Sequence, residues 1–285
     1  MQRMDQMDLS PQTTRIIVCG TAKNVEKKLD NFFHVMSSSF MNFKEVRYIV
    51  CESFSTDKTR TKLESLQQSG FRLEILDPPQ SSKSHDLRTA RIAAAREAIR
   101  KRVKDAYSEF DLVVMADMDG VNRSLKSSIV DTIWDFSGWD AVFANQSFKY
   151  YDIWALRAKG WNESDCWEEF FELRETLGDR KARKIAITKK MKRISPRSRP
   201  IKVDSAFGGL GIYKMDHFLA GTYKGVTENG LEICEHVTFH QSMQSNQTEL
   251  FILPSLINLN YRAQLSNEVK NLLRTCSAKV KRMFG

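Results

Sequence analysis

One short segment constrains the fold of this chain more than any other. Residues 112–120 (LVVMADMDG) form an apolar run that ends in Asp117 and Asp119, followed by a glycine. The apolar run is too short for an ordinary helix and does not alternate, which predicts a strand buried on both faces. In open α/β sheets, ligands bind beyond the carboxyl ends of the strands, and the two carboxylates would lie at that edge.

The sequence before this segment alternates between strand and helix patterns. Apolar runs predict strands over 15–20, 46–51 and 71–76, and apolar spacing predicts helices over 24–40, around 63–66 and over 87–106. Such alternation is typical of a Rossmann-like, mostly parallel central sheet flanked by helices. Further along, the patterns predict helices over 129–136 and 167–177 and strands over 139–144 and 203–214. We therefore predict one α/β domain over residues 15–260.

Positive charge is concentrated in one segment. The 285-residue chain has a formal net charge of +9, and residues 179–202 alone contain eleven Lys and Arg and one Asp. Residues 189–202 are too polar and too rich in proline to pack, which predicts a mobile basic loop. This loop is expected to close over a diphosphate or to guide an anionic acceptor. Its lack of aromatic residues argues against stacking on single-stranded nucleic acid.

The two ends of the chain are expected to lie outside the domain. Residues 1–14 are predicted to be flexible, and residues 261–285 predict an amphipathic basic helix. That helix either packs on the domain or contacts an anionic membrane surface. The sequence has no apolar run of membrane-spanning length, and its five cysteines form no Cys-x-x-Cys pair. We expect a cytoplasmic protein that can associate peripherally with a membrane.

Several polar residues are placed where a nucleotide and a metal could bind. Oxygen ligands such as Asp117 and Asp119 suit Mg²⁺ or Mn²⁺, which can bridge to phosphates. Thr21 ends the first strand and can meet a base or ribose, while Glu52 ends the second and can either accept hydrogen bonds from them or cap a turn. Arg91 can reach a diphosphate with its forked guanidinium. Arg96, on the same predicted helix, is more typical of a solvated basic face.

A second cluster of polar residues lies at 232–240 (EICEHVTFH). His236 and His240 share one face of this segment whether it is extended or helical. A neutral imidazole here is a candidate third metal ligand beside the two aspartates, and Glu235 is a candidate base for an acceptor hydroxyl. The alternative is that both histidines are structural.

The order of these motifs resembles that of GT-A glycosyltransferases. More specifically, it resembles the fungal capsule-associated mannosyltransferases and their bacterial and viral relatives. The matching stretches are 88–96 (RTARIAAAR), 150–157 (YYDIWALR), 206–210 (AFGGL) and 234–240 (CEHVTFH). The resemblance implies a GT-A fold with an Asp-x-Asp motif at a strand end.

The resemblance also implies roles for individual residues. Asp119 would be the principal metal ligand, with Asp117 assisting and His240 as a late metal-binding histidine. Asp152 and Trp154 would line the sugar pocket, and Gly208 and Gly209 would let the backbone approach the transferred sugar or the acceptor. Asp152 and Glu235 are the candidate catalytic carboxylates, and Glu235 would be the base if the enzyme inverts the anomeric centre.

These expectations define one function and its alternatives. The chain is predicted to be a metal-dependent hexosyltransferase that uses Mn²⁺ or Mg²⁺ and a GDP- or UDP-linked sugar, with mannose as one candidate. The predicted acceptor is a glycan or a lipid-linked glycan. The alternatives are a nucleotidyltransferase and a non-enzymatic basic module that binds an anionic membrane or nucleic acid.

Overall fold

A computed structural model of the chain describes residues 10–85, 87–243 and 248–260. The strands in this part of the chain are β1 (Arg15–Ala22), β2 (Glu45–Glu52), β3 (Leu73–Leu76), β4 (Leu112–Ala116), β5 (Ala141–Gln146), β6 (Ile201–Lys202), β7 (Leu210–Lys214) and β8 (Leu250–Leu259). The helices are α1 (Leu29–Ser39), α2 (Thr59–Gln68), α3 (Arg88–Ala106), α4 (Ser127–Val130), α5 (Cys166–Ala186), α6 (Met215–Ala220) and α7 (Glu235–Met243).

The eight described strands form one sheet in the order β3-β2-β1-β4-β7-β5-β8-β6. The strands β3, β2, β1 and β4 are mutually parallel, as the alternation of strands and helices predicts. By contrast, β7 runs antiparallel to both β4 and β5. As a result, the chain leading into β7 returns to the carboxyl end of β4.

The sheet is covered on both faces because its central strands are apolar throughout. Along β4, Val113 and Met115 belong to the core cluster that includes α3, whereas Leu112 and Val114 belong to the opposite cluster with α1. All four side chains are fully buried. This two-sided burial confirms the interpretation of 112–116 as an internal strand.

Several element boundaries differ from those predicted. The predicted helix over 129–136 is the short α4 followed by a 3-10 helix at Asp131–Asp135. The predicted strand over 203–214 begins only at Leu210. The helix predicted over 167–177 continues to Ala186 after a kink at Gly178, whose φ is 74°. The first third of the basic segment, residues 179–186, is therefore helix, and the loop follows it.

The sequence patterns predicted no strand over 250–259, where β8 lies. Pro254 interrupts this strand and has no N–H to donate. The register between β5 and β8 shifts at this point, and the Asn145 side chain donates to the Pro254 carbonyl oxygen at 3.0 Å. The irregular pairing accommodates a proline that would otherwise exclude an internal strand.

The predictions for residues 1–9 and for the helix over 261–285 lie outside the described residues. Among the helices of the described part, none is both long and apolar enough to cross a membrane.

Candidate active site

A cavity of about 530 Å³ lies beyond the carboxyl ends of β1, β2 and β4. Segments that follow those strands form its wall, together with α3, residues 152–155 and the start of α7. The residues predicted as functional that line this cavity are Thr21, Arg91, Asp117, Asp119, Asp152, Trp154 and Glu235. Those outside the wall are Glu52, Gly208, Gly209 and His240.

Backbone hydrogen bonds hold the two aspartates at the end of β4. The Asp117 N–H donates to the Gly209 carbonyl oxygen at 2.9 Å, and Asp119 Oδ1 accepts from the Val121 N–H at 3.1 Å. Gly120 has a φ of 93°, in the region that favours glycine. The turn therefore presents two carboxylates to one space.

A buried network of side-chain amides supports this turn from behind. Asn122 Nδ2 donates to the carbonyl oxygens of Asp117 and Gly209, both at 2.9 Å. Asn258 Nδ2 donates to Asn122 Oδ1 and to the Gly208 carbonyl oxygen, both at 2.8 Å. Losing one partner would leave a buried polar group unsatisfied, at a cost of about 1–3 kcal/mol. The carbonyl oxygens of Gly208 and Gly209, a pair predicted to approach the sugar, thus accept hydrogen bonds that hold the aspartate turn in place.

Replacing Gly209 with alanine is expected to destabilise the fold much more than the same change at Gly138. The two glycines have similar φ values, 87° and 82°. A Cβ at Gly209 would lie 2.4 Å from Val121 Cγ1, whereas nothing lies within 4 Å at Gly138. The free energy of unfolding should fall by about 1 kcal/mol for G138A and by about 3 kcal/mol or more for G209A. Urea unfolding measures both, and equal losses would contradict the close approach.

Arg96 is buried behind the carboxylates, so the expectation of a solvated face is wrong for this residue. Its side chain is 5% exposed, and Nη2 donates to Asp117 Oδ1 at 2.9 Å. Its Nη1 contacts Glu235 Oε1 and His236 Nε2. The guanidinium carbon also lies 5.0 Å from the centre of the Phe207 ring. A fixed positive charge therefore links two carboxylates of the cavity wall.

The remaining charges of the cavity favour a cation. Burial raises the pKa of Asp117 to about 7, the Arg96 charge opposes this, and Asp119 adds to it. Burial also raises the pKa of Asp152, although its Oδ2 accepts from the Gly208 N–H at 2.9 Å. Because burial disfavours the ionised form of these carboxylates, a divalent cation beside them would stabilise that form and would itself be bound favourably.

The carboxylates at the end of β4 fit a metal ion that takes most of its ligands from water and from the substrate. Within the described residues, no group of three or more His, Cys, Asp and Glu side chains is arranged to hold a metal ion. Asp117 and Asp119 are the two carboxylates directly after β4 that could hold a metal ion. Mg²⁺ commonly binds through one or two carboxylates, with waters and substrate phosphates completing its shell.

His240, the predicted third ligand, lies in the core rather than at the cavity. Its Nδ1 is 2.8 Å from Ser205 Oγ and its Nε2 is 3.0 Å from the Tyr213 hydroxyl. Because the Ser205 hydroxyl donates to the Ala155 carbonyl oxygen, Nδ1–H donates to Ser205 and Nε2 accepts from Tyr213. Burial lowers the pKa of His240 to about 3, so the ring is neutral. Both ring nitrogens of His240 are therefore engaged in hydrogen bonds within the core.

His236, in contrast, lines the cavity. Its ring stacks on Phe207 with 3.6 Å between centroids. Burial, with the Arg96 charge, lowers the pKa of His236 well below its usual value. Because a guanidinium only donates, Nε2 accepts from Arg96 and the ring proton lies on Nδ1. This histidine helps to fix the orientation of Arg96.

The ends of β1 and β2 form the other side of the cavity. Thr21 and Phe54 line it, and Phe54 has a φ of 56°, which is uncommon for a residue other than glycine. Glu52 supports this turn from outside the wall, since its Oε1 accepts from the Ser55 N–H at 2.8 Å. The turn-capping alternative for Glu52 is therefore the one that the geometry favours.

Trp154 is fixed by a buried carboxylate. Its indole N–H donates to Asp165 Oδ2 at 3.0 Å, and Arg157 Nη2 donates to the same oxygen at 2.9 Å. The other oxygen, Oδ1, accepts from the Trp167 N–H at 2.8 Å and so caps α5. One carboxylate thus joins the cavity wall to the start of a helix.

Replacing Asp165 with alanine is expected to lower the free energy of unfolding by about 3–5 kcal/mol, because it leaves the guanidinium of Arg157 without its buried partner and removes a helix cap. The Arg157 and Asp165 side chains are 11% and 8% exposed. The matched control is E175A on the same helix, where the carboxylate is 81% exposed. Denaturant unfolding compares the two variants, and a loss below 1 kcal/mol in D165A would contradict this role.

The architecture and the placement of the cavity define a mixed α/β domain of the GT-A type, which confirms the predicted fold class. The S. aureus TarS 1–349 structure in complex with UDP is similar to this chain, with a TM-score of 0.50 and 13% identity. That alignment covers 85% of this chain and 58% of the TarS chain, so this chain spans less than two thirds of it. At this level of identity, the likeness bears on the fold alone.

Two further solved structures match more distantly. The mannosyltransferase PcManGT from Pyrobaculum calidifontis, in complex with GDP-Man and Mn²⁺, has a TM-score of 0.45 and 13% identity over 88% of this chain and 59% of its own. Glucosyl-3-phosphoglycerate synthase from Mycobacterium tuberculosis, in complex with Mn²⁺, UDP and phosphoglyceric acid, has a TM-score of 0.42 and 14% identity over 87% of this chain and 67% of its own. No protein-family model and no curated protein matches the sequence.

Proposed function

We propose that this chain is a metal-dependent glycosyltransferase that moves a hexose from a nucleotide-diphosphate sugar to a glycan or lipid-linked glycan. The observation that carries this proposal is one cavity whose wall combines two strand-end aspartates, three arginines of α3, the Trp154 ring and two further carboxylates. Transfer from such a donor needs charge neutralisation at the diphosphate and, if the enzyme inverts the anomeric centre, a base at the acceptor.

In this proposal the donor lies across the carboxyl ends of the strands. Thr21 and Phe54 contact the nucleoside, and Glu52 holds the turn beside it. Arg88 and Arg91, which both line the cavity, bind the diphosphate, because guanidinium forks match phosphate geometry. Trp154 offers an apolar face to the sugar ring.

Asp119 and Asp117 are the residues that would hold Mn²⁺ or Mg²⁺. When bound, the metal supplies positive charge that stabilises the departing diphosphate. Asp119 is the stronger candidate, since Asp117 Oδ1 already accepts from Arg96.

Asp152 is the residue that we assign as the base for the acceptor hydroxyl. Its pKa is raised by burial, and a backbone N–H fixes one of its oxygens. Glu235, the other candidate, forms an ion pair with the buried Arg96 and is better suited to hold that charge in place. The resemblance to fungal capsule-associated enzymes makes GDP-mannose one donor to test, and mannose remains a prediction.

The test is to incubate the purified chain with Mn²⁺ and a panel of UDP- and GDP-linked hexoses. We expect one of them to bind and to be hydrolysed slowly without an acceptor, releasing the nucleoside diphosphate. If no sugar nucleotide binds or reacts, the proposal fails. Release of pyrophosphate from a nucleoside triphosphate would instead favour the nucleotidyltransferase alternative.

A further inference from the structure

A strip of basic side chains on α5 and the loop after it has no partners in the described part of the protein. We define the basic strip by seven exposed residues that form neither an ion pair nor a side-chain hydrogen bond there: Arg180, Lys181, Lys184, Lys189, Arg193, Arg197 and Arg199. Some other surface arginines are paired, as Arg60 is with Glu64 and Arg102 is with Glu74. Unpaired like charges repel one another and do not stabilise the fold, which indicates a role in binding.

The backbone around the loop residues of the basic strip is hydrogen-bonded to the rest of the domain. The Tyr150 N–H donates to the Lys192 carbonyl oxygen at 2.9 Å, and the Trp161 indole donates to the Lys190 carbonyl oxygen at 2.7 Å. Ile194 is buried, and its carbonyl oxygen accepts from the Asn145 side chain at 3.2 Å. The exposed cations therefore project from a backbone that the domain anchors at several points.

The anchoring also places the basic strip next to the cavity without making it part of the wall. No residue of 189–202 lines the cavity. However, Tyr150, which binds the backbone of Lys192, is only two residues from Asp152. Since consecutive Cα atoms are 3.8 Å apart, the Lys192 carbonyl, directly before Arg193 of the strip, lies within roughly 12 Å of the Asp152 Cα. A long acceptor could thus lie on the strip while its end reaches the cavity.

From this placement we infer that the basic strip binds the acceptor and that the acceptor is an anionic glycan, with phosphate or carboxylate groups repeated along its chain. This inference rests on the proposed function, since it names the substrate class of the same site. A glycan with one negative charge per repeat would meet the spaced cations in succession.

Other anionic partners fit the basic strip less well. Nucleic acid is disfavoured because residues 179–202 contain no aromatic side chain on which bases could stack. An anionic membrane is disfavoured because Ile185 is the only large exposed apolar side chain within 179–202. The more exposed Phe171 precedes the kink and lies next to Glu172 and near Glu175, whose charges repel anionic lipid.

The binding test uses fluorescent polygalacturonate and inorganic polyphosphate as anionic probes and dextran as the neutral control. The variant R193E/R197E/R199E should weaken binding of an anionic probe by about tenfold or more at 50 mM salt. The matched control is K44E/K101E/K104E, which reverses three exposed lysines away from the basic strip and should change affinity less than about twofold. Equal losses in both variants, or none in either, would overturn the inference, as would equal binding of dextran.

Two further measurements separate this inference from its rivals and from the proposed function. The glycan assignment is overturned if the wild type binds phosphatidylglycerol vesicles or single-stranded DNA more tightly than either polymer and R193E/R197E/R199E loses that binding. Hydrolysis of the donor without an acceptor should be the same in R193E/R197E/R199E and in the wild type. If the wild type binds polymer but hydrolyses no donor, the proposed function fails and the inference of an acceptor site falls with it. If it hydrolyses the donor but binds neither anionic polymer, only the inference fails.

Discussion

Replacing Asp119 with asparagine is expected to reduce metal-dependent hydrolysis of the donor by about 10³-fold, because several kcal/mol of charge stabilisation at the leaving diphosphate are lost. The change is conservative for the fold. Asp119 Oδ1 accepts the Val121 N–H, and an asparagine oxygen can accept the same bond. Loss of activity would then report on the metal and not on the turn.

The measurement is the rate of nucleoside diphosphate release over a series of Mn²⁺ concentrations. We expect D119N to need far more Mn²⁺ and to reach a lower maximum, while its urea unfolding stays close to that of the wild type. Asp105→Asn, at an exposed position near the end of α3, is the matched control and should behave like the wild type. A wild-type Mn²⁺ dependence in D119N would remove Asp119 from the metal site.

Much of the fold could be predicted because its pattern is local. The strand 112–116 is apolar on both faces, and the three preceding strand–helix units have ordinary spacing, so burial and periodicity specify them directly. Strand β8 could not be predicted, because its pairing with β5 depends on a bulge around Pro254. A local sequence pattern does not indicate such a register shift.

The candidate site could be predicted in part. Arg91, Asp152, Trp154 and Glu235 were expected to be functional and line the cavity, and two further residues lie at the end of a strand. Asp117 and Asp119 fall there by sequence position alone. The supports of the site could not be found in this way. Asn122 and Asn258 are hydrogen-bonded to each other although 136 residues separate them, and single asparagines in a sequence carry no such signal.

The two histidines of α7 illustrate a further limit on predicting a site from the sequence. Helical spacing places His236 and His240 on one face, and both are buried on α7. His236 nevertheless lines the cavity, whereas both ring nitrogens of His240, one helical turn later, are hydrogen-bonded within the core. Periodicity gives the face of a helix but not the depth at which each residue lies, because depth is set by what packs against it.

Replacing Asp152 with asparagine is expected to lower the rate of sugar transfer by about 10²–10⁴-fold, the range that positioned bases contribute. Affinity for the nucleoside diphosphate should change less than about twofold. An asparagine oxygen can still accept the Gly208 N–H, so the local backbone is retained. A loss confined to the transfer rate would distinguish a base from a residue that only shapes the pocket.

Glu235→Gln provides the contrast. The Glu235 side chain is 8% exposed and pairs with Arg96, so removing its charge leaves a buried cation short of a partner. We expect E235Q to lower the free energy of unfolding by about 3–5 kcal/mol, whereas D152N should not. If E235Q instead folds normally and loses transfer as completely as D152N, the two assignments must be exchanged.

The pH dependence of transfer tests the same assignment independently. A base acts when deprotonated, so the rate should rise as pH increases through the pKa of Asp152, which burial raises above its usual value. At saturating Mn²⁺, which keeps Asp117 ionised although burial raises its pKa to about 7, D152N should lose this rising limb as well as most of the rate. An enzyme that retains the anomeric configuration needs no base at this position and would keep both. If D152N keeps the rising part of the pH profile, Asp152 is not the base, and an inverting mechanism that depends on it is contradicted.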